Sequence, residues 1–225
     1  MDFSVYRKNE LIAQLAWYPL DIMITGATGA GKSSTLNAIF QKEITSVGRV
    51  VDPETMKLNA YPLNRALRFW DTPGLGDGIE ADRRHKKELV DLLYKPFSTQ
   101  DKEHGFIDLV LVIVEGSSRD MGTTYTLLDE VILPNIQSDR VLIAINQADA
   151  AMKGKHWDHL KKSPDQQLSM YLNEQAYSVQ KRVQEATGAE VSLPVVYSAE
   201  YGYHITILLD FLFDHIPSER RVLIR

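Results

Sequence analysis

The octapeptide Gly26-Ala27-Thr28-Gly29-Ala30-Gly31-Lys32-Ser33 fits the pattern G-x-x-x-x-G-K-[ST], and it stands between an apolar run, residues 21–25, and a segment of helical spacing, residues 32–40. Strand, glycine-rich loop and helix in that order make a phosphate site. Glycines let backbone N–H groups turn inward around phosphate oxygens, and the start of the helix adds the positive end of its dipole. In this pattern Lys32 reaches the β- and γ-phosphates and Ser33 ligates Mg2+, with Gly29, Ala30, Gly31 and Ser34 completing the cradle. A plain strand-to-helix turn has no need of a Lys-Ser pair at this spacing.

Two later motifs follow apolar runs in the same way. Asp71-Thr72-Pro73-Gly74 comes after the run ending at Trp70, which puts an acid at a strand's C-terminal edge beside the phosphate loop of an open α/β sheet. Asp71 can hold the Mg2+ shell through water, and Gly74 can bring its N–H against the γ-phosphate, so that loss of the phosphate releases the segment up to Gly78. Taken alone, D-x-x-G is also an ordinary β-turn. Asn146-Gln147-Ala148-Asp149 ends the run 141–145, where a base would lie. The Asp149 carboxylate can accept two parallel hydrogen bonds from guanine's ring N–H and exocyclic amine, a donor pair adenine lacks. Alone, this too would be an Asx turn.

With 225 residues, 44% of them apolar, the chain can bury one substantial core, and a single large domain is expected. Thirty acidic residues against 25 basic ones give a net charge of −5, which offers no electrostatic case for nucleic acid. The absence of cysteine excludes disulfides and thiolate metal sites and fits a cytoplasmic protein. No run approaches the roughly 20 apolar residues of a membrane span. Asp2, Arg7, Lys8 and Glu10 stand where a signal peptide would be apolar, so the chain reads as soluble.

Residues 1–20 read as a helical lead-in, 21–217 as the main domain and 218–225 as a stub whose role the sequence does not disclose. Residues 41–54 lack periodicity, and a strand pair is expected at 56–61 and 66–70. A polar helix at 80–94 turns Leu89, Leu92 and Leu93 inward. The β-branched runs 107–114, 141–145 and 193–197 read as strands covered on both faces, separated by helices at 123–133, 164–186 and 204–215. For the second of these helices Ser163 is the expected N-cap, with Pro164 at the first helical position and Gly188 just past its end. The alternation predicts a three-layer α/β fold with a mostly parallel central sheet flanked by helices.

With GATGAGKS, DTPG, NQAD and YSA in that order, residues 21–215 resemble the P-loop GTPase superfamily of Era-like, septin-like and immunity-related GTPases. Residues 51–56, VDPETM, and 70–78, WDTPGLGDG, look most like bacterial, often prophage-encoded members. The resemblance implies a Ras-like G domain that takes GTP as substrate, gives GDP and phosphate, and uses Mg2+. It also implies that Thr55 is the switch I threonine, a ligand of Mg2+ in contact with the γ-phosphate, with Thr45 as the rival position. Ser198 and Ala199 match the last family motif, in which backbone N–H groups contact the guanine oxygen.

Three departures from the family pattern matter. Gln147 replaces the lysine whose stem covers the base, which lowers the affinity expected for guanine. Gly29 stands where K+-using relatives have asparagine, so no K+ is expected. Leu75 stands where Ras-like enzymes keep a water-orienting glutamine, which implies slow turnover and a missing group supplied in cis or in trans, often across a homodimer whose nucleotide faces meet. Arg49 and Arg119 are the arginines to test for charge stabilisation. His156 and His159, three apart, are too few to specify a metal site, and the run from Arg83 to Lys87 reads as a solvated helix face. Two alternatives stand beside a GTP-hydrolysing switch: a GTP-dependent dimerising scaffold with negligible turnover, and a P-loop ATPase with relaxed base selectivity. The effector is not legible.

Overall fold

The structure is a computed structural model that describes residues 19–40, 50–51, 59–64, 67–98, 103–117 and 121–223. The apolar run before the glycine-rich loop forms β1 (Leu20–Gly26), buried along its whole length. It lies between β4 (Leu67–Asp71) and β7 (Leu109–Glu115), parallel to both. Beyond β7 come β8 (Val141–Asn146) and β11 (Val195–Val196), again parallel. On the other side β3 (Asn59–Asn64) pairs antiparallel with β4, and β2 (Val50–Val51) antiparallel with β3. The seven strands therefore run in the order β11-β8-β7-β1-β4-β3-β2.

The two-residue period of the central strands sorts their side chains between two cores. Ile22 and Ile24 of β1, Leu109, Leu111 and Ile113 of β7 and Leu142 of β8 face α1 (Lys32–Phe40) and α5 (Ile205–Asp214) through Leu36, Ile39, Leu208 and Leu212. Met23, Val110, Val112, Val114, Ile143 and Ile145 point the other way. There they meet Leu89, Leu92 and Leu93 of α2 (Ile79–Tyr94), Leu127 of α3 (Gly122–Leu127) and Ala176, Val179 and Val183 of α4 (Gln166–Thr187). Each fully buried Leu, Ile or Val side chain contributes about 1.5–3 kcal/mol, so this double burial is the main stabilising term of the sheet. Among the described residues no helix is long and apolar enough to cross a membrane.

Several elements depart from the pattern read in the sequence. α4 begins later than expected, because Asp165 and not Ser163 caps it: the Asp165 carboxylate accepts the Leu168 N–H at 2.9 Å. Ser163 and Pro164 form β10, paired antiparallel with β9 (Trp157–Asp158). Gly188 ends α4 as expected, at φ 72, with its N–H on the Gln184 carbonyl. α3 is short and continues as a π-helical turn over Leu128–Ile132. The strand expected at 193–197 has only the two paired residues of β11. A further ribbon, β5 (Pro96–Ser98) with β6 (Glu103–Gly105), has no counterpart in the sequence reading. The lead-in helix lies outside the described residues.

Ionisable groups cluster toward the N-terminal ends of the central strands, away from the glycine-rich loop. The Asp21 carboxylate accepts both Arg68 Nε and Nη2 at 2.8 Å and the Trp70 indole N–H at 2.6 Å. The C-terminal segment closes this pole. Arg221 is fully buried and donates to the carbonyls of Ile107 at 2.7 Å, Asn135 at 3.1 Å and Leu93, while Arg220 lies 3.6 Å from the Asp108 carboxylate. Burial drops the Arg221 guanidinium to about 10.

Asp108 is fully buried; one of its oxygens accepts the Asp21 backbone N–H at 3.0 Å and the other has no hydrogen-bond partner. Burial pushes this carboxyl from its ordinary 3.8 up to about 7, against the pull of the Asp21 N–H and of Arg220. Between those two values the folded chain holds a proton that the unfolded chain has released, so stability falls as pH rises through that window and levels above it. Asp108→Asn keeps an acceptor for the Asp21 N–H without the charge. Thermal melts of this variant are expected to show a flatter dependence on pH between about 4 and 7 than the parent.

Candidate functional site

Because β1, β4, β7, β8 and β11 are parallel, the segments that follow them emerge at one edge of the sheet. The loop after β1 wraps toward the start of α1, with Gly29 at φ 85 and Gly31 at φ 88. Gly31 is required twice over: its φ is left-handed, and a Cβ there would collide with the side-chain nitrogen of Asn146. Lys32 is 9% exposed, and its ammonium folds back onto the carbonyls of Gly26 at 3.3 Å and Ala27 at 3.0 Å. Burial lowers its pKa, while Asp71 and Asp77 work in the opposite direction.

Ser33, on the first turn of α1, and Asp71, the last residue of β4, come together: the serine hydroxyl lies 3.4 Å from one carboxylate oxygen. The other oxygen, Oδ1, is buried without a hydrogen-bond partner. Burial raises the Asp71 pKa, and Lys32 and Ser33 pull it down. A serine hydroxyl beside an unsatisfied buried carboxylate oxygen is a hard oxygen donor set, and it fits a small divalent cation that keeps several of its waters.

The segment after Asp71 is held against the phosphate loop. Thr72 Oγ1 donates to the Ile24 carbonyl at 2.7 Å, and the Thr28 N–H donates to the Leu75 carbonyl at the same distance. The Leu75 side chain is 1% exposed and belongs to the core cluster with Trp70 and Leu89. The position at which a glutamine would orient water is thus turned into the protein interior.

At the end of β8, Asn146 is buried and uses its amide in both directions, donating to the Ala30 carbonyl at 3.0 Å and accepting the Ala199 N–H at 3.0 Å. Gln147, at φ 63, reaches over the phosphate loop and donates to the Gly29 carbonyl at 2.9 Å. An amide donor therefore stands where the family pattern has a lysine. Ser198 donates its hydroxyl to Asp149 Oδ1 at 2.5 Å, and its own N–H goes to the Tyr203 carbonyl at 3.0 Å. Lys32, Ser33, Asp71 and Gly74 are gathered at one end of this edge, and Asn146, Gln147, Asp149, Ser198 and Ala199 at the other. Thr55, its rival Thr45, Arg49 and Arg119 lie outside the described residues.

Sequence reasoning missed a polar pair beneath the site. Thr35 Oγ1 donates to the Gly31 carbonyl at 2.7 Å and lies 2.6 Å from the Tyr197 hydroxyl, which ties α1 to the end of β11. Burial pushes the Tyr197 phenol above the ordinary tyrosine range. Beside the Asp149 loop, Trp157 packs on Tyr201 and Tyr203 at ring-centroid distances of 5.3 and 5.4 Å. His156 is paired with Asp165 at 2.7 Å and His159 with the Tyr201 hydroxyl at 2.9 Å, so the two histidines serve separate partners.

A carboxylate fixed at the end of β8, on the same edge as a Lys-Ser phosphate loop, separates P-loop GTPases from other phosphate-loop folds, and this domain is of that class. The chain belongs to the family described as 50S ribosome-binding GTPase, whose model matches residues 21–176. It is 28% identical to YkfA of Escherichia coli over 165 residues, 72% of this chain and 53% of YkfA. It is 26% identical to translocase of chloroplast 120 of Arabidopsis thaliana over 199 residues, 83% of this chain and 17% of the translocase. The chain thus spans about half the length of one relative and under a fifth of the other. Among solved structures, Toc33 of Arabidopsis thaliana in complex with GDP and Mg2+ shares the fold at a TM-score of 0.63 and 14% identity, over 99% of this chain and 95% of Toc33.

The Thr35–Tyr197 pair makes an asymmetric prediction. Thr35→Val strands the buried tyrosine hydroxyl and is expected to cost about 1–3 kcal/mol in urea unfolding. Tyr197→Phe leaves Thr35 bonded to Gly31 and is expected to cost less than about 1 kcal/mol. In the Tyr197→Phe background the Thr35→Val change is expected to lose most of its effect.

Proposed function

We propose that this G domain binds GTP and GDP together with Mg2+, hydrolyses GTP slowly to GDP and phosphate, and changes state with the nucleotide it holds. The observation that carries the reading is the joining of the phosphate loop to the base loop through Asn146 and Gln147. A ligand with a triphosphate at one end and a purine at the other spans the edge those residues hold together.

In this reading the backbone of residues 29–34 and the Lys32 ammonium take the phosphates, and the start of α1 favours their negative charge. Ser33 and Asp71, joined by Thr55, hold Mg2+, which neutralises charge on the phosphate oxygens when bound. Asp149, braced by Ser198, accepts the guanine N–H pair, and Asn146 and Ala199 shape the rest of the base loop. Gly74 offers its N–H to the γ-phosphate, and loss of that phosphate ends this contact and lets the segment to Gly78 change position. A water attacks the γ-phosphorus in line, but Leu75 is committed to the core and cannot position it. Turnover is therefore slow unless Arg49, Arg119 or a partner copy completes the site. The same buried leucine supports a second reading, a GTP-dependent homodimer with negligible hydrolysis. The cysteine-free chain suits the reducing cytoplasm, which we take as its compartment.

Calorimetric titration in Mg2+ with GDP, a non-hydrolysable GTP analogue and the matching ATP analogue tests the reading. Guanine nucleotides are expected to bind in preference to the adenine one, and Asp149→Ala to weaken them by about a hundredfold or more. Equal binding of the adenine analogue would sink the role given to Asp149. Phosphate release that rises per molecule with protein concentration would show that a partner completes the site; negligible release at every concentration would leave the scaffold reading.

A further inference from the structure

The backbone at Gly74 closes on the phosphate loop beside the Lys32 ammonium. A Cβ built on Gly74 would sit 2.7 Å from the Lys32 ammonium nitrogen, from the Thr28 backbone nitrogen and from Thr28 Oγ1. The Lys32 ammonium otherwise bonds to the Gly26 and Ala27 carbonyls, so Gly74 covers part of its remaining side. Next to it the Leu75 carbonyl accepts the Thr28 N–H at 2.7 Å and the Leu75 N–H goes to the Gly26 carbonyl at 3.4 Å. A phosphoryl group seated on Lys32 and the Thr28 amide needs the same space and the same donors. These contacts of Gly74 and Leu75 are made to Gly26, Ala27, Thr28 and Lys32, and all but the last precede the start of α1.

α2 holds the segment there. Its residues Asp82 and His85 are three apart and so project from one helix face. The Asp82 carboxylate accepts the N–H groups of Gly76 at 2.8 Å and Asp77 at 3.2 Å. His85 Nδ1 lies 2.8 Å from the Gly74 carbonyl, which can only accept, so the imidazole donates. The helix itself is fixed, with Leu89, Leu92 and Leu93 in the core and Lys86 paired with Glu130 at 2.5 Å. Withdrawal of Gly74 therefore has to break the His85 bond or carry the first turns of α2 along.

We propose that the Gly74–Leu75 backbone, seated by His85, is a built-in stand-in for the γ-phosphate, so that the resting chain favours a nucleoside diphosphate and a triphosphate enters only by displacing it. This rests on the reading of the site as a guanine-nucleotide site. His85 is a positioning residue here: it touches neither nucleotide nor metal, and acts through Gly74. Loss of its hydrogen bond removes a contact that only the diphosphate state keeps, which shifts the balance between the two nucleotides and leaves diphosphate affinity alone.

The test is calorimetric titration of the full chain in Mg2+ with GDP and with a non-hydrolysable GTP analogue, for the parent, His85→Ala and His85→Asn. The parent is expected to bind GDP more tightly. His85→Ala is expected to raise affinity for the analogue by about threefold to tenfold with GDP affinity unchanged, the size of one hydrogen bond. His85→Asn, whose amide nitrogen can take the place of Nδ1, is expected to keep the parent ratio. A parent that prefers the analogue, or a GDP-to-analogue ratio unchanged in His85→Ala, overturns the inference while GDP binding upholds the site. Absence of GDP binding by the parent overturns the site reading and the inference with it.

Discussion

The side-chain amide of Asn146 is the joint on which the site depends. One end holds the Ala30 carbonyl of the phosphate loop and the other holds the Ala199 N–H of the loop after β11. The Asn146 side chain is buried, where an unpaired amide would cost more than a paired one gains, so breaking either bond loosens both loops. Gln147 adds a parallel, more exposed bond to Gly29, and Gly31 can lie this close to Asn146 only because it has no side chain. The glycine-rich loop and the end of β8 are consequently joined at two points. Gln147 in place of the family lysine carries no charge and supplies a tie between the loops.

The opposite pole has a different logic. Asp21, Asp108, Arg68, Arg140, Arg220 and Arg221 are brought together toward the starting ends of the central strands, and most of them are buried. A buried guanidinium is tolerated only when its donors are met, and Arg221 meets carbonyls from three separate parts of the chain. The segment after α5 thereby closes the bottom of the sheet. Asp108 is the weak member, with an oxygen unbonded and a carboxyl held well above its ordinary range by burial. The buried charges and the phosphate loop thus lie at opposite ends of the same strands.

What the sequence disclosed follows the same division. Motifs expected to bind phosphate and base are short and follow a strand at fixed spacing, so Gly26 to Ser33, Asp71 to Gly74 and Asn146 to Asp149 stand out in the sequence, and the structure brings them to one edge of the sheet. The parallel sheet was legible because strands buried on both faces read as unbroken apolar runs. Contacts between distant residues left no such signal: Thr35 and Tyr197 are 162 positions apart, and Arg221 sits in a charged tail that resembles a solvated terminus. The start of α4 was misread because Ser163-Pro164 and Asp165 each carry a start signal. Tertiary pairing of Ser163 and Pro164 with Trp157 and Asp158 decided between them.

Leu75 joins the two themes. A leucine at this position cannot act on water, and its burial beside Trp70 and Leu89 shows what it does instead: it anchors the segment after Asp71 in the core shared with α2. A glutamine there would bring a polar amide into that core without a partner, at a cost of about 1–3 kcal/mol, or else pull the segment out of it. The side chain that stands in place of a glutamine is therefore the one that fastens the segment after Asp71 in the core shared with α2. One buried side chain thus sets two things in this domain: it fastens the segment after Asp71 in the core, and it leaves that position without a polar group facing the phosphate loop.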